Sequence, residues 1–97
     1  MEQVTQKTTK RVEDEKTALT HRLNRIEGQI RGIKKMIEND CYCADILTQS
    51  AAVSAAINAF NKQLLKSHIH GCVVRDIKAG NESVVDELCE LLQKLMK

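Results

Sequence analysis

The sequence predicts an all-α protein, a three-helix protomer with a long second helix, and three observations carry that prediction. The 97 residues contain no proline, the residue that most disrupts a helix interior. Apolar side chains recur at spacings of three and four, the period of one helix face. A composition of 42 % hydrophobic and 29 % charged residues suits an amphipathic chain in water and fits poorly with a membrane span, a collagen or a disordered polymer. Tyr42 and Phe60 are the only aromatic residues. So short a chain then has few large side chains with which to fill a core of its own, and self-association is expected.

Residues 1–14 carry no apolar period and are rich in Thr, Lys, Glu and Gln. They are expected to form a mobile tail, leaving residues 15–97 as the helical domain. That opening stretch contains no apolar signal segment, so a cytoplasmic location with reduced thiols is expected. Cys41, Cys43, Cys72 and Cys89 are then read as metal-binding or redox-active side chains rather than as a disulfide framework.

Leu19, Leu23, Ile26, Ile30, Ile33 and Ile37 are spaced by four, three, four, three and four, a helical stripe of coiled-coil type that defines the first helix. Asn39-Asp40 interrupts it, and Asp40 is expected to cap a second helix starting near Cys41. The apolar positions of that helix run from Ile46 to Ile77, and Gly80 provides a stop. Gly71 interrupts this run at a local expense of about 1 kcal/mol relative to alanine. A third helix begins near Glu82, with Val84, Leu88, Leu91 and Leu95 on one stripe and Val85, Leu92 and Met96 beside it. Cys89 is assigned to the core of that pattern. The first helix can cover one face of the longer second helix but not both. The face left over contains Ala51, Ala52, Ala55, Ala56 and Ala59, small residues that let another helix approach, so an antiparallel dimer built on the second helix is expected.

The chemistry centres on three side chains. His68 and Cys72 stand four apart on one helix, which puts both on one face. Cys43 precedes His68 by 25 residues, roughly 37 Å along a continuous helix at 1.5 Å per residue. A second copy packed antiparallel, with its two-fold near Ala56 and Ile57, would place Cys43 of one chain beside His68 and Cys72 of the other and create two identical intersubunit sites. Two thiolates and one imidazole form a soft donor set of low coordination number, which favours Cu(I). Zinc would require a fourth ligand from His70, Cys41 or water. His70 lies two residues from His68 and projects from a different face. Cys41-Tyr42-Cys43 falls at a helix N-terminus, where the macrodipole favours thiolate.

The charge is uneven. Residues 1–37 hold nine Lys/Arg against five Asp/Glu, and residues 38–97 hold six against eight. On a helical wheel Arg22 and Arg25 lie on one flank of the first helix, with Arg31, Lys34 and Lys35 on the other. Such a surface can grip the phosphates of double-stranded DNA. With no helix-turn-helix signature, zinc finger or aromatic platform, recognition through phosphates and DNA shape is the expected mode. No nucleophile with a base and orienter and no cofactor loop is present, so no enzymatic activity is expected.

Three stretches resemble the copper-sensing transcriptional repressor family of the CsoR/RcnR type: Arg22-Leu-Asn-Arg25-Ile-Glu-Gly-Gln29, Cys43-Ala-Asp-Ile-Leu-Thr-Gln49, and Leu64-Leu-Lys-Ser-His68-Ile-His-Gly-Cys72. The likeness runs through nearly the whole chain after the tail. It implies an all-helical dimer that pairs into a homotetramer, binds operator DNA when metal-free and lets go when Cu(I) is bound. Cys43 of one protomer with His68 and Cys72 of the other match the copper-type ligand pattern. Tyr42 and Glu87 fall where the family places groups linking the site to the third helix. Nickel and cobalt sensors of the family use more histidine and an N-terminal ligand, whereas here no histidine precedes His21. Persulfide-sensing members keep both cysteines and lack the histidine. One departure is Ser54, which stands where the family carries a DNA-contacting arginine. The alternatives are therefore a persulfide-sensing repressor using Cys43 and Cys72, or a copper-binding protein with weakened DNA binding.

Overall fold

The computed structural model describes residues 11–96. In chain order they form α1 (Glu13–Glu38), α2 (Cys43–His68), a π-helical turn (Ile69–Val73), α3 (Val74–Lys78) and α4 (Ser83–Leu95). The all-α expectation holds, with no strand among the described residues. Residues 1–10 of the expected tail lie outside the described residues. Helix α1 begins two residues earlier than its apolar period suggests. Its first turn carries Glu13, Asp14 and Glu15, acidic groups that favour the positive end of the helix dipole, and the Lys16 amide donates to the Val12 carbonyl at 3.1 Å.

The chain divides into two compact units within α2, between Gln63 and Leu64. In the first unit, Leu19 and Ile26 of α1 and Val53 of α2 are buried. The coiled-coil stripe thus separates into two rows. Leu19 and Ile26 form the covered row, with Ile33 half-buried. Leu23, Ile30 and Ile37 keep 46 %, 45 % and 59 % of their surface exposed. The rows are four residues apart, about 40° around the helix, so one neighbouring helix can cover the first and leave the second open.

In the second unit α4 packs against α3 and the π turn, burying Cys72, Val73 and Val84. Cys89 is exposed, which corrects its assignment to the core. It follows Val84 by five residues, about 140° around the helix, and so points away from the side that Val84 buries.

Both corners between helices use the same device. After α1, the Cys41 amide donates to the Met36 carbonyl at 2.9 Å and the Asp40 amide to the Ile37 carbonyl at 3.1 Å. After α3, the Asn81 amide donates to the Asp76 carbonyl at 2.9 Å and the Gly80 amide to the Ile77 carbonyl at 3.0 Å. These are Schellman turns, which need a left-handed residue just past the helix. Gly80 supplies it with φ 88°, as a helix stop should, and Asp40 supplies the other with φ 55°. Asp40 therefore closes α1 and does not cap α2. The start of α2 falls to Tyr42, whose carbonyl accepts from the Asp45 and Ile46 amides at 3.0 and 3.2 Å.

The π turn is the feature the apolar period did not predict. Its hydrogen bonds reach one residue further than those of an α-helix, a local widening that recurs at functional sites. Gly71 sits at its centre, and a Cβ there would meet nothing within 4 Å. Packing does not demand glycine at that position. The sequence trace of the turn is the low helix propensity of glycine itself.

Candidate metal and nucleic-acid site

Cys43 is the first residue of α2 and His68 the last. Cys43 is exposed, and Tyr42 beside it is 73 % exposed. The Schellman turn on one side and the first bonds of α2 on the other hold the backbone of both residues. His68 is half-buried and His70 exposed, in keeping with their different faces. Cys72 lies within the π turn and is 8 % exposed. Because a π turn winds less per residue than an α-helix, the four-residue step from His68 to Cys72 still ends on the same side. Glu87 is exposed on α4.

Two thiols and one imidazole suit a soft ion of low coordination number such as Cu(I). Among the described residues, no three side chains of the His, Cys, Asp and Glu types gather into a metal site within one chain. His68 and Cys72 stand four apart across the start of the π turn, and Cys43 opens the helix that His68 closes.

The basic residues Arg22, Arg25, Arg31, Lys34 and Lys35 are all exposed along α1. Arg22 and Arg25 line an open cleft of about 160 Å³ together with Ile26, Gln29 and Ala56. The Arg22 Nε donates to Gln63 Oε1, which steadies that guanidinium against α2. Gln29 Oε1 is buried and has no hydrogen-bond donor among the described residues. Sequence reasoning missed Gln29 as part of this cleft and Gln63 as the partner of Arg22, because a glutamine on a helix flank looks the same whether it faces water or a neighbour. Ser54 is exposed on α2. No helix among the described residues is long and apolar enough to cross a membrane.

An all-helical chain with an exposed basic helix and soft donors at the ends of another describes a metal-responsive DNA-binding protein. The family of metal-sensitive transcriptional repressors matches residues 15–94, and the chain belongs to it. It is 49 % identical over 84 residues to the copper-sensing transcriptional repressor CsoR of Bacillus subtilis (strain 168), covering 86 % of this chain and 83 % of that protein. Its fold is similar to that of the copper-sensing repressor CsoR with Cu(I) from Geobacillus thermodenitrificans NG80-2. That likeness has a TM-score of 0.88 at 38 % identity, over 93 % of this chain and 95 % of the other. The nickel-responsive transcriptional regulator InrS is similar at a TM-score of 0.71 and 36 % identity, over 81 % of this chain and 90 % of the other. Members of such a family regulate transcription rather than catalyse a reaction, in agreement with the expectation that the chain is not an enzyme.

Proposed function

We propose that this protein is a cytoplasmic, copper(I)-responsive repressor. Metal-free, it binds operator double-stranded DNA as a homodimer or homotetramer. It is released when Cu(I) is held by Cys43 of one protomer with His68 and Cys72 of its partner. The observation that carries this reading is the placement of the donors. Cys43 and His68 begin and end α2, and one chain gathers no three ligand-type side chains among the described residues. Antiparallel pairing of two α2 helices across Ala51, Ala52 and Ala55, all exposed, completes two sites at once. The open row of Leu23, Ile30 and Ile37 supplies apolar surface for the same assembly.

The chain's own residues then divide the work. The Asp40 corner holds Cys43 at the start of α2, and the π turn carries Cys72 on its buried side. Tyr42 precedes the first thiol, and Glu87 lies on α4, which packs against the π turn that carries Cys72. Arg22, Arg25, Arg31, Lys34 and Lys35 grip phosphates. Bound Cu(I) supplies a soft positive centre that ties two protomers together. Release requires that the metal favour the arrangement in which those basic residues no longer match the duplex, since a ligand shifts an equilibrium only through differential affinity.

Ser54 motivates one second reading, a copper-binding protein with weakened DNA binding. Duplexes selected from a random pool and run on gels with apo protein separate the two. Binding at low salt, lost on addition of one Cu(I) per chain, supports the repressor. Cu(I) uptake without any apo–DNA complex at low salt supports the copper-binding protein.

A further inference from the structure

We propose that Cys41 and Cys43 form a dithiol redox pair that closes into a disulfide within one chain when a small-molecule disulfide oxidises them. Nothing in the fold or in the metal site accounts for Cys41. Its thiol and that of Cys43 are both exposed, whereas Cys72 is buried. The backbone holds the pair at one corner: the Cys41 amide is bonded to the Met36 carbonyl at 2.9 Å, and the Tyr42 carbonyl accepts from Asp45 and Ile46. Tyr42, the single residue between them, is itself largely exposed, so within one protomer the corner is open to a small oxidant.

Reach limits what such a pair can do. Two virtual bonds of 3.8 Å place the Cα atoms no more than about 7 Å apart, at the upper end of what a disulfide spans. A bridge there is attainable and strained. Strained, exposed disulfides are the easily reduced ones, suited to reversible control rather than to a structural role. The exchange balances with a disulfide RSSR as oxidant. One thiolate of the pair attacks RSSR, forms the mixed disulfide and releases RS⁻. The second attacks the protein sulfur of that mixed disulfide and expels the other RS⁻. Two protein thiols are oxidised, one RSSR is reduced to two thiols, and the two protons of the pair pass to the departing thiolates or to solvent. For copper the consequence rests on the function proposed above: closing the bridge removes Cys43 from the donor set.

The test uses full-length apo protein incubated with oxidised glutathione, then alkylated and digested with trypsin. The peptide spanning residues 36–62 contains Cys41 and Cys43 and no other cysteine. In the wild type it is expected to lose two hydrogens, resist alkylation and return to the dithiol with dithiothreitol. The Cys41→Ser protein should instead keep a stable glutathione adduct on Cys43. Wild-type peptide that stays fully alkylated, carries a stable glutathione adduct, or is joined to the Cys72 peptide (residues 67–75) overturns the proposal. Cu(I) titration of reduced and oxidised protein separates the two claims. Uptake by the reduced form and loss in the oxidised form supports both. Disulfide closure in a protein that takes up no Cu(I) even when reduced supports the redox pair and defeats the copper function alone.

Discussion

Replacing Ile30 by lysine tests the assembly and the metal site together. Leu23, Ile30 and Ile37 retain 46 %, 45 % and 59 % of their surface in the single chain. Full burial of such a side chain is worth about 1.5–3 kcal/mol, so covering what remains exposed contributes about 1 kcal/mol per residue. That amounts to about 3 kcal/mol per chain and about 6 kcal/mol for a symmetric pair, comparable with the entropic penalty of association. In Ile30→Lys about 1 kcal/mol is lost from each chain, about 2 kcal/mol per dimer, before any cost of burying the ammonium. At about 1.4 kcal/mol per decade, self-association should weaken at least about 30-fold. Folding of the single chain should persist, since the substituted side chain can stay in water. Sedimentation velocity across a concentration series reads the association, and circular dichroism checks the helices. A Cu(I) titration against a competing chelator should show affinity falling with the dimer. A monomeric Ile30→Lys protein that binds Cu(I) as tightly as the wild type would refute the intersubunit site, and unchanged association would place the open row outside the interface.

Other expected outcomes follow from individual residues. His68→Ala should weaken Cu(I) binding at least about tenfold in a chelator competition; if affinity is unchanged and a persulfide releases the DNA, Cys43 and Cys72 act without the imidazole. Ser54→Arg, on an exposed position of α2, should tighten apo binding to duplex DNA and steepen the salt dependence by about one ion for each phosphate newly neutralised; an identical salt slope would show that this position does not meet DNA. The two Schellman corners predict opposite signs in urea unfolding. Gly80→Ala forces a Cβ into the left-handed region at φ 88° and should destabilise by about 1 kcal/mol, whereas Asp40→Gly relieves a lesser strain and should stabilise by about 0.5 kcal/mol.

Periodicity and stop signals are local, so the helices are legible along the chain, the π turn at Ile69–Val73 excepted. The stripe from Leu19 to Ile37, the apolar run of α2 and the glycine at position 80 all required nothing beyond their own neighbours along the chain. The spacing of His68 and Cys72 likewise placed both on one face whether the intervening turn is α or π. Tertiary structure decided what local chemistry leaves ambiguous. Asp40 has a side chain able to cap a helix and a backbone able to adopt a left-handed φ, and only the bonds from Cys41 to Met36 and from Asp40 to Ile37 show that the second property is used. Cys89 sits in an apolar pattern that reads as core, yet Val84 alone on α4 is buried, since which arc of an amphipathic helix is covered depends on where its neighbours lie. The division of the α1 stripe into a covered and an open row has the same cause: apolar spacing encodes a face, and the width of that face which one chain can cover is a matter of packing.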